Sequence, residues 1–596
     1  MDEERRGFQK GDWALFLRFL HYVRSHSRPL LLAIIAMAGA SVAQVAGPYL
    51  IKVGIDQYIL PGRIDQLWNI AGLYLLMLAT LFGCAFIQTT VIGDVGQRIC
   101  LKLRDDLYAH LQRLPLRFFY SQPVGRTVTR LTNDVEALSE LVSSGVVAIL
   151  SDVLLLAGIA AVMFWMNSGI ALMAFLLLPP LVALTWRFRT RVRESFRAIR
   201  LKLARLNAFL NERVQGMRVI RAFNAESETA DRHAGVNADH YEAHMDSIRL
   251  FAVYNPLVDL IGALSVAVLI WYSAGRILSG HLTFGELVAF LVYLEMFYKP
   301  IRDLAEKYNI LQAALAAMEK VFGLMDEPVE DLPRGDGRAR QPWAIAPGNH
   351  LRGEIVFDRV TFAYETLQGK RSADVLRDLS FEIRPGEKVA IVGATGAGKS
   401  TIASLILGFY SPQSGRILLD GVPVREYDLP VVRRRIGYIT QEPFLFSGTL
   451  EDNITLEDAT ISPAAVRHAV DACGLAGGRY PQGLKTRIAE RGVTFSAGER
   501  QLIAFGRCMA FEPDILMLDE ATAAVDSVTE RWIERAFGML SKNRTAVVIA
   551  HRQSLVQICD RILVIHQGRL VESGSHEELV RRGGVYSMIF RLQEVA

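Results

Sequence analysis

The sequence predicts a protein of two parts, an all-α transmembrane domain of six helices followed by an α/β domain. The chain has 596 residues, of which 51% are hydrophobic, and this length implies more than one domain. The long apolar stretches are concentrated before about residue 310. Beyond them, an apolar run at 388–392, a glycine-rich loop and an apolar run at 401–407 predict a buried strand, a loop and a helix.

Six apolar stretches are predicted to cross the membrane, at about 29–56, 66–95, 140–166, 168–187, 250–276 and 282–310. No charged residue occurs between 29 and 51 or between 67 and 93, and both stretches are long enough to cross about 30 Å of hydrocarbon. Before the first span, apolar and polar side chains alternate over 12–28. That pattern predicts an interfacial helix on the inner leaflet, with a plain cytoplasmic extension of the first span as the alternative.

Basic residues predict the orientation of these spans. Arginine and lysine are concentrated in two long connections, between the second and third spans and between the fourth and fifth. Because such loops stay on the cytoplasmic side, both termini and the α/β domain are predicted to be cytoplasmic, in a multi-pass protein of the inner (plasma) membrane. The same arginines explain the net charge of +4, so the charge does not indicate a nucleic-acid partner.

The glycine-rich loop at 393–400 matches the pattern G-x-x-x-x-G-K-[ST] of a phosphate-binding loop. Its glycines let backbone N–H groups point at phosphate oxygens, and the N-terminus of the following helix adds positive potential. Lys399 is predicted to reach the outer phosphates, and Ser400 to ligate Mg²⁺. ATP and Mg²⁺ are therefore the predicted cofactors. The nucleotide-binding residues predicted in this segment are Gly393, Thr395, Gly396, Gly398, Lys399, Ser400 and Thr401.

A second apolar run, at 515–518, predicts a buried strand that ends in two carboxylates, Asp519 and Glu520. Open α/β sheets bind their ligands at this end of the strands. Asp519 is predicted to hold Mg²⁺ through water, and Glu520 to polarise the water that attacks the γ-phosphate. Taken alone, an Asp-Glu pair after a strand is more often an ordinary strand-end turn.

Further short motifs occur in order along the same part of the chain, and they contain Tyr364, Gln441, Ser496, Gly498, Asp526 and His551. In kind, order and spacing the motifs resemble the nucleotide-binding domain of ATP-binding cassette (ABC) exporters. The resemblance implies an α/β phosphate-loop ATPase domain over 351–596. A transmembrane domain at 1–326 is predicted to precede it, followed by a linker at 327–350 that is rich in proline, glycine and charge.

The resemblance also implies a role for each of these residues. Tyr364 matches the aromatic residue that stacks on adenine, and Gln441 matches the glutamine that contacts Mg²⁺ and couples to the membrane part. His551 matches the histidine that contacts the γ-phosphate, and Asp526 lies in the loop after the acidic strand. Glu520, His551 and Gln441 are the predicted catalytic residues. Two segments, 117–125 and 217–226, resemble the coupling helices that dock on nucleotide domains.

One motif departs from the family pattern, because FSAGE at 495–499 stands where ABC exporters have LSGGQ. Ala497 replaces a glycine that permits close approach to the nucleotide, and Glu499 puts a carboxylate near an anionic ligand. ABC exporters are dimers in which each ATP lies between one phosphate loop and the other signature. The resemblance therefore predicts a heterodimer with a second half-transporter that has an intact signature. The alternative is a homodimer that tolerates the divergent motif.

Ionisable and aromatic residues of the predicted spans are candidates for substrate contact. Asp152 and Glu295 are predicted near mid-membrane, where ionisable residues usually face a cavity. The aromatic candidates around Glu295 are Phe290, Tyr293 and Phe297. Acid and aromatic surface together suit amphipathic or cationic compounds. Alternatively, the two carboxylates pair with basic groups of other helices, for which Lys299 and Arg302 are available.

Two classes of function follow from these observations. The first is ATP-driven export of drug-like or lipid-like amphiphiles by a half-transporter, with a homodimeric lipid flippase as a variant. The second is a non-pumping membrane ATPase, such as a gated channel or a regulator. The predicted partners are a second half-transporter, membrane lipid and a small amphipathic substrate. The presence of both Glu520 and His551 favours turnover of ATP over gating alone.

Overall fold

The computed structural model of the chain describes residues 10–329, 350–365, 371–476, 480, 482–519, 527–549 and 553–595. The chain divides into two compact units. One comprises Met1–Gln112 with Gly125–Glu327, and the other comprises Arg113–Val124 with Pro328–Ala596.

The N-terminal half is helical, with several long helices and shorter ones between them. In chain order they are α1 (Lys10–Arg24), α2 (Ser27–Gly54), α3 (Leu67–Leu111), α4 (Leu116–Ser121), α5 (Val124–Thr129), α6 (Val135–Glu140), α7 (Val147–Met166), α8 (Ser168–Phe175), α9 (Leu178–Gln215), α10 (Met217–Ala222), α11 (Glu226–Leu278) and α12 (Phe284–Met325). Three π-helical segments adjoin them, at Ile55–Ile59, Arg130–Asp134 and Leu141–Val146.

Five helical segments are long and apolar enough to span a membrane: Ser27–Ile59, Leu67–Leu111, Val124–Met166, Ser168–Gln215 and Glu226–Leu278. They contain most or all of each of the first five predicted spans. The sixth predicted span, 282–310, falls largely in α12, whose apolar part carries Glu286, Glu295 and Lys299 and which is not among the five. The count of six therefore stays a prediction. Large apolar side chains lie exposed along α3, as lipid contact requires, and include Leu75, Phe82 and Phe86.

The predicted interfacial helix at 12–28 is shifted in the structure. Helix α1 ends at Arg24, and α2 begins at Ser27, so that the break falls before the first span. Pro29 explains this position, because proline is tolerated in the first turn of a helix, where its missing N–H would have no intrahelical partner.

The N-terminus of α12 is fastened to the end of α2. The Asp56 carboxylate accepts hydrogen bonds from the Thr283 hydroxyl (2.5 Å) and the Gly285 N–H (2.8 Å). Lys52 Nζ forms an ion pair with Glu286 Oε1 at 2.8 Å. A Cβ at Gly285 would lie 2.6 Å from the Lys52 carbonyl oxygen, so glycine permits this approach. The contacts hold the first and last long apolar helices together at one end.

The second unit also contains Arg113–Val124, which the sequence placed within the transmembrane domain. Pro115 caps the start of α4, and Pro123 follows its end, so this short helix is separated from the long helices on either side. Phe118 on α4 is only 1% exposed. The segment therefore packs as part of the unit that carries the α/β domain.

The α/β domain contains twelve strands among the described residues, and the strands form three sheets. The strands are β1 (Ile355–Phe362), β2 (Leu376–Ile383), β3 (Lys388–Val392), β4 (Ser414–Leu419), β5 (Val422–Pro423), β6 (Ile436–Ile439), β7 (Gly448–Thr449), β8 (Arg487–Ile488), β9 (Ile515–Asp519), β10 (Thr545–Ile549), β11 (Arg561–His566) and β12 (Arg569–Gly574). The strand orders are β12-β11-β3-β10-β9-β6, β2-β1-β4-β5 and β7-β8.

The helices of this domain pack on the six-stranded sheet or on one another. They are α13 (Lys399–Ile406), α14 (Leu429–Arg435), α15 (Leu450–Thr455), α16 (Pro463–Ala472), α17 (Ala497–Ala510), α18 (Ser527–Leu540), α19 (Gln553–Gln557), α20 (His576–Arg582) and α21 (Val585–Val595). Successive residues of β3 point to opposite faces, so Val389 packs with α13 and Ala390 packs in the cluster that contains α17. Burial on both faces explains why the central strands are continuously apolar.

Candidate nucleotide-binding site

The predicted site residues follow the carboxyl ends of neighbouring parallel strands. Strand β10 pairs in parallel with β3 and with β9, and β6 pairs in parallel with β9. The glycine-rich loop follows β3, Asp519 ends β9, and Gln441 lies exposed two residues after β6. The sheet register therefore gathers these groups at one edge, where open α/β sheets bind ligands.

The conformation of the loop at 393–400 requires glycine. Gly396 and Gly398 have φ values of +82° and +98°, in the left-handed region that L side chains rarely adopt. A Cβ at Gly393 would lie 2.2 Å from the carbonyl oxygen of Ile565. Thr395 is exposed at the tip of the loop. Helix α13 begins at the end of the loop, so its first N–H groups and its dipole favour an anion there.

Lys399 lies within the curl of this loop. Its ammonium donates hydrogen bonds to the carbonyl oxygens of Gly393 (2.8 Å) and Ala394 (3.1 Å), and the residue is only 6% exposed. The positive charge is therefore held beside the N–H groups that would bind phosphate.

Two of the predicted Mg²⁺ ligands, Ser400 and Asp519, lie next to each other. The Ser400 hydroxyl donates to Asp519 Oδ1 at 3.3 Å. Hydroxyl and carboxylate oxygens are ligands that Mg²⁺ accepts, and these two groups fit it. Among the described residues no three His, Cys, Asp or Glu side chains converge. Ser400, Asp519 and Gln441 would hold Mg²⁺, which supplies charge neutralisation to the phosphates.

Aromatic rings form the other end of the site. The Tyr364 hydroxyl lies 3.0 Å from Thr401 Oγ1, which ties the predicted adenine-stacking ring to α13. Tyr364 also meets Tyr410 edge to face, with ring centroids 5.1 Å apart. Burial, followed by the neighbouring Tyr364, raises the pKa of Tyr410 to about 12, so its hydroxyl stays protonated at neutral pH.

Tyr364→Ala is expected to weaken ATP binding about tenfold, because ring stacking contributes about 0.5–1.5 kcal/mol beyond buried area. Tyr364→Phe keeps the ring and removes only the hydroxyl contact with Thr401, so its binding should stay close to that of the unsubstituted chain. Titration with a fluorescent ATP analogue measures both. Equal weakening by the two variants would contradict a stacking role.

The divergent signature begins α17. The Ser496 hydroxyl accepts from the Glu499 N–H (3.2 Å), and Glu499 Oε2 accepts from the Ser496 N–H (2.9 Å), which is a capping box. Glu499 Oε1 also accepts from the Tyr480 hydroxyl at 3.3 Å. Gly498 is buried, and Ala497 is half-buried in the first turn. The carboxylate is thus stabilised by its own helix N-terminus, which reduces the repulsion that the sequence suggested.

Three predicted site residues, Glu520, Asp526 and His551, lie outside the described residues. Strand β9 ends one residue before Glu520, and β10 ends two residues before His551. Their roles therefore stay predictions from the motif positions.

The predicted substrate residues have different environments. Asp152 forms an ion pair with Lys307 of α12, so the alternative of pairing with a basic group of another helix holds for Asp152, with a different base from the two that the sequence offers. Lys307 lies on α12, which packs against α7. It is about one to two helical turns further along α12 than Arg302 and Lys299. Glu295 is exposed, and the Phe297 ring is half-buried against Phe175, with centroids 4.9 Å apart.

Two of the aromatic candidates belong to the packed interior of the helices. Phe290 and Tyr293 are both 0% exposed, and the Tyr293 hydroxyl donates to the Val45 carbonyl oxygen at 2.6 Å. Their rings contact other side chains of the helical unit in this structure, so of the predicted set Asp152, Glu295 and Phe297 retain accessible surface.

Sequence reasoning missed two tyrosines beside the site, Tyr410 and Tyr438. Tyr438 donates to Asp519 Oδ2 at 3.2 Å, and Tyr410 packs against Tyr364. Tyr438 could have been suspected because it lies in the strand that precedes Gln441. Its contact with Asp519 could not have been predicted, because it depends on β6 lying beside β9 in the sheet. Nothing in the local sequence marks Tyr410.

Comparison with known proteins identifies a family for each half of the chain. Residues 30–301 match the family of ABC transporter transmembrane regions, and residues 376–523 match the ABC transporter family. The chain is 36% identical over 590 residues to an uncharacterized ABC transporter ATP-binding protein, YknV, of Bacillus subtilis (strain 168), covering 98% of this chain and 95% of YknV.

Two further similarities cover nearly the whole chain. It is 32% identical to an ATP-dependent lipid A-core flippase of Syntrophus aciditrophicus (strain SB), over 97% of this chain and 94% of the flippase. Its fold matches a bacterial Atm1-family ABC exporter with ATP bound, with a TM-score of 0.76, 28% identity and coverage of 95% of this chain and 98% of that one. The helical unit and the ATPase domain together therefore place this chain in the ABC transporter family, as an exporter half-transporter with an ATP-hydrolysing domain.

Proposed function

We propose that this chain exports amphipathic, drug-like or lipid-like molecules across the inner (plasma) membrane as one half of a heterodimer with one degenerate ATP site. Its ATPase domain and both termini are cytoplasmic in this proposal. The observation that carries the heterodimer is Ala497 in the first turn of α17, where the family pattern has glycine. A Cβ at this position keeps the backbone further from a nucleotide bound on the opposite subunit.

The chain's own phosphate loop has the residues of a productive site. The glycine conformations, the buried Lys399 and the Ser400–Asp519 contact support binding of ATP and Mg²⁺ at this loop. In an ABC dimer this loop would be completed by the partner's signature. A partner with LSGGQ would make that site productive, while the site that uses FSAGE would be degenerate.

Exposed apolar side chains around α10 support a partner. Val219 and Phe223 are 61% and 79% exposed, respectively, and Met217 adds to the same short helix region. An exposed apolar cluster on a short cytoplasmic helix is typical of a protein contact. This segment resembles the coupling helices of ABC exporters, which dock on a nucleotide domain.

The substrate class rests on two observations. The accessible Glu295 and Phe297 offer charge and aromatic surface on one helix, which suits amphipathic molecules. Asp152 is paired with Lys307 and does not support this substrate class. A relative of this chain is a lipid A-core flippase, so a lipid-like substrate is the second form of the proposal. Loaded proteoliposomes, with a fluorescent lipid and a cationic dye tested separately, would distinguish the two.

A homodimeric flippase is the alternative that one observation favours. Because Glu499 already accepts hydrogen bonds from Ser496 and Tyr480, its charge is partly compensated, and FSAGE is less unfavourable than its sequence suggests. A non-pumping ATPase is the other alternative. Vanadate trapping with ATP reports hydrolysis, which a pump and a non-pumping ATPase share. Substrate movement is therefore measured on the same proteoliposomes, and a pump is expected to show both.

The heterodimer predicts a poor ATPase for the chain expressed alone. Ala497→Gly should raise phosphate release several-fold, because the backbone can then approach the nucleotide. Glu499→Gln should have the smaller effect, since the carboxylate is already paired with its own helix. The measurement is phosphate release by detergent-purified protein, together with its oligomeric mass. A native homodimer with vigorous, substrate-stimulated hydrolysis would contradict the heterodimer and leave the exporter intact.

A further inference from the structure

Tyr438 and Ser400 together hold both oxygens of the Asp519 carboxylate. The Tyr438 hydroxyl donates to Asp519 Oδ2 at 3.2 Å, and the Ser400 hydroxyl donates to Oδ1 at 3.3 Å. Tyr438 pairs with Met517 across β6 and β9, so Tyr438 and Asp519 lie on the same face of neighbouring parallel strands. This geometry results from the sheet and not from a mobile loop.

The contact lies in a largely buried environment. Asp519 is only 7% exposed, and Tyr438 is half-buried against the same core as Tyr364 and Tyr410. The Tyr438 hydroxyl is the donor in this contact, because an ionised carboxylate can only accept a hydrogen bond.

We infer that Tyr438 is a positioning residue for Mg²⁺, which acts by fixing the orientation of the Asp519 carboxylate. The inference rests on the proposed magnesium site of Ser400 and Asp519. A carboxylate that holds a metal through water must present one oxygen in a fixed direction, and a hydrogen bond to the other oxygen supplies that constraint. Partners of this kind typically change metal affinity or activity by about 10- to 100-fold when removed.

The competing explanation is that Tyr438 only needs a partner for a half-buried hydroxyl. Tyr427 provides a matched control, because its hydroxyl donates to the Leu419 carbonyl oxygen at 2.9 Å and its ring packs in the same core. Tyr427→Phe removes a similar hydrogen bond without touching a carboxylate. A general loss of stability would therefore affect both variants, whereas a magnesium effect would affect only Tyr438→Phe.

The test measures how much Mg²⁺ strengthens binding of a non-hydrolysable ATP analogue, AMPPNP. Calorimetric titrations of the detergent-purified full chain give the Kd for AMPPNP in excess EDTA and in saturating Mg²⁺. The Kd in EDTA divided by the Kd in Mg²⁺ is the ratio that reports coupling between ion and nucleotide. Tyr438→Phe is expected to reduce this ratio about tenfold and to leave the Kd in EDTA unchanged. Tyr427→Phe is expected to leave the ratio unchanged.

Two results would overturn the inference while the magnesium site stands. One is that Tyr438→Phe has the same Kd ratio as the unsubstituted chain. The other is that Tyr427→Phe lowers the Kd ratio as much as Tyr438→Phe does. A wild-type chain whose AMPPNP affinity does not respond to Mg²⁺ would instead refute the proposed magnesium site, and the inference with it. Thermal unfolding of both variants, followed in EDTA, shows whether any change in the ratio accompanies a loss of fold.

Discussion

Glu520→Gln is expected to reduce ATP hydrolysis by about 100-fold or more, because the variant loses the carboxylate that positions the attacking water. ATP binding should remain close to that of the unsubstituted complex, since the phosphate loop and Lys399 are unchanged. The expectation rests on the position of Glu520 directly after Asp519, which ends β9 at the ligand-binding edge of the sheet. Phosphate release and equilibrium nucleotide binding, measured on the same purified complex, separate the two effects.

Glu512→Gln is the matched control for this experiment. Glu512 is exposed in the turn that leads into β9, so its substitution removes the same charge a short distance along the chain. It should leave hydrolysis unchanged. Near-normal turnover in Glu520→Gln would show that the catalytic carboxylate has been assigned to the wrong residue.

Lys399→Ala is expected to weaken ATP binding by about 100-fold, since hydrogen bonds to charged groups contribute about 1.5–3 kcal/mol each. The structure adds a second cause. The ammonium also bonds the carbonyl oxygens of Gly393 and Ala394, so the variant loses contacts that hold the loop in its curled conformation. Binding of a labelled ATP analogue, in the presence and absence of Mg²⁺, measures the loss.

Lys542→Ala, at an exposed turn of the same domain, is the control for lost positive charge. It should bind the analogue normally. Lys399→Arg tests the loop separately, because it keeps the charge but not the compact ammonium that fits between two carbonyl groups. Unchanged binding in Lys399→Ala would mean that the loop at 393–400 does not hold the nucleotide.

The phosphate loop could be predicted from sequence because its chemistry is local. The positive φ angles of Gly396 and Gly398, the turn and the start of α13 are all set by eight consecutive residues. The apolar strand before Glu520 was predictable for the same reason. The apolar helices were also predictable, because the length needed to cross a bilayer can be counted along the chain.

Other features depended on which segments meet in space. The sequence offers Lys299 and Arg302 as basic partners for Asp152, and the structure has Lys307, because the partner is set by how α12 packs against α7. Glu499 is predicted to be adverse to an anionic nucleotide, and the structure adds that its carboxylate accepts hydrogen bonds at the start of its own helix. Local sequence could have suggested the capping box, but not the hydroxyl of Tyr480.

By itself the sequence determined the two-part organisation, the positions of the motifs and the kind of ligand that the loop can bind. These properties follow from local backbone preferences and from apolar length, which each segment carries in its own residues. Only the tertiary structure decided that Tyr438 reaches Asp519, because β6 and β9 are neighbours through strand order and lie far apart in the chain. Contacts of this kind follow from the packing of whole strands and helices, and no single segment encodes them.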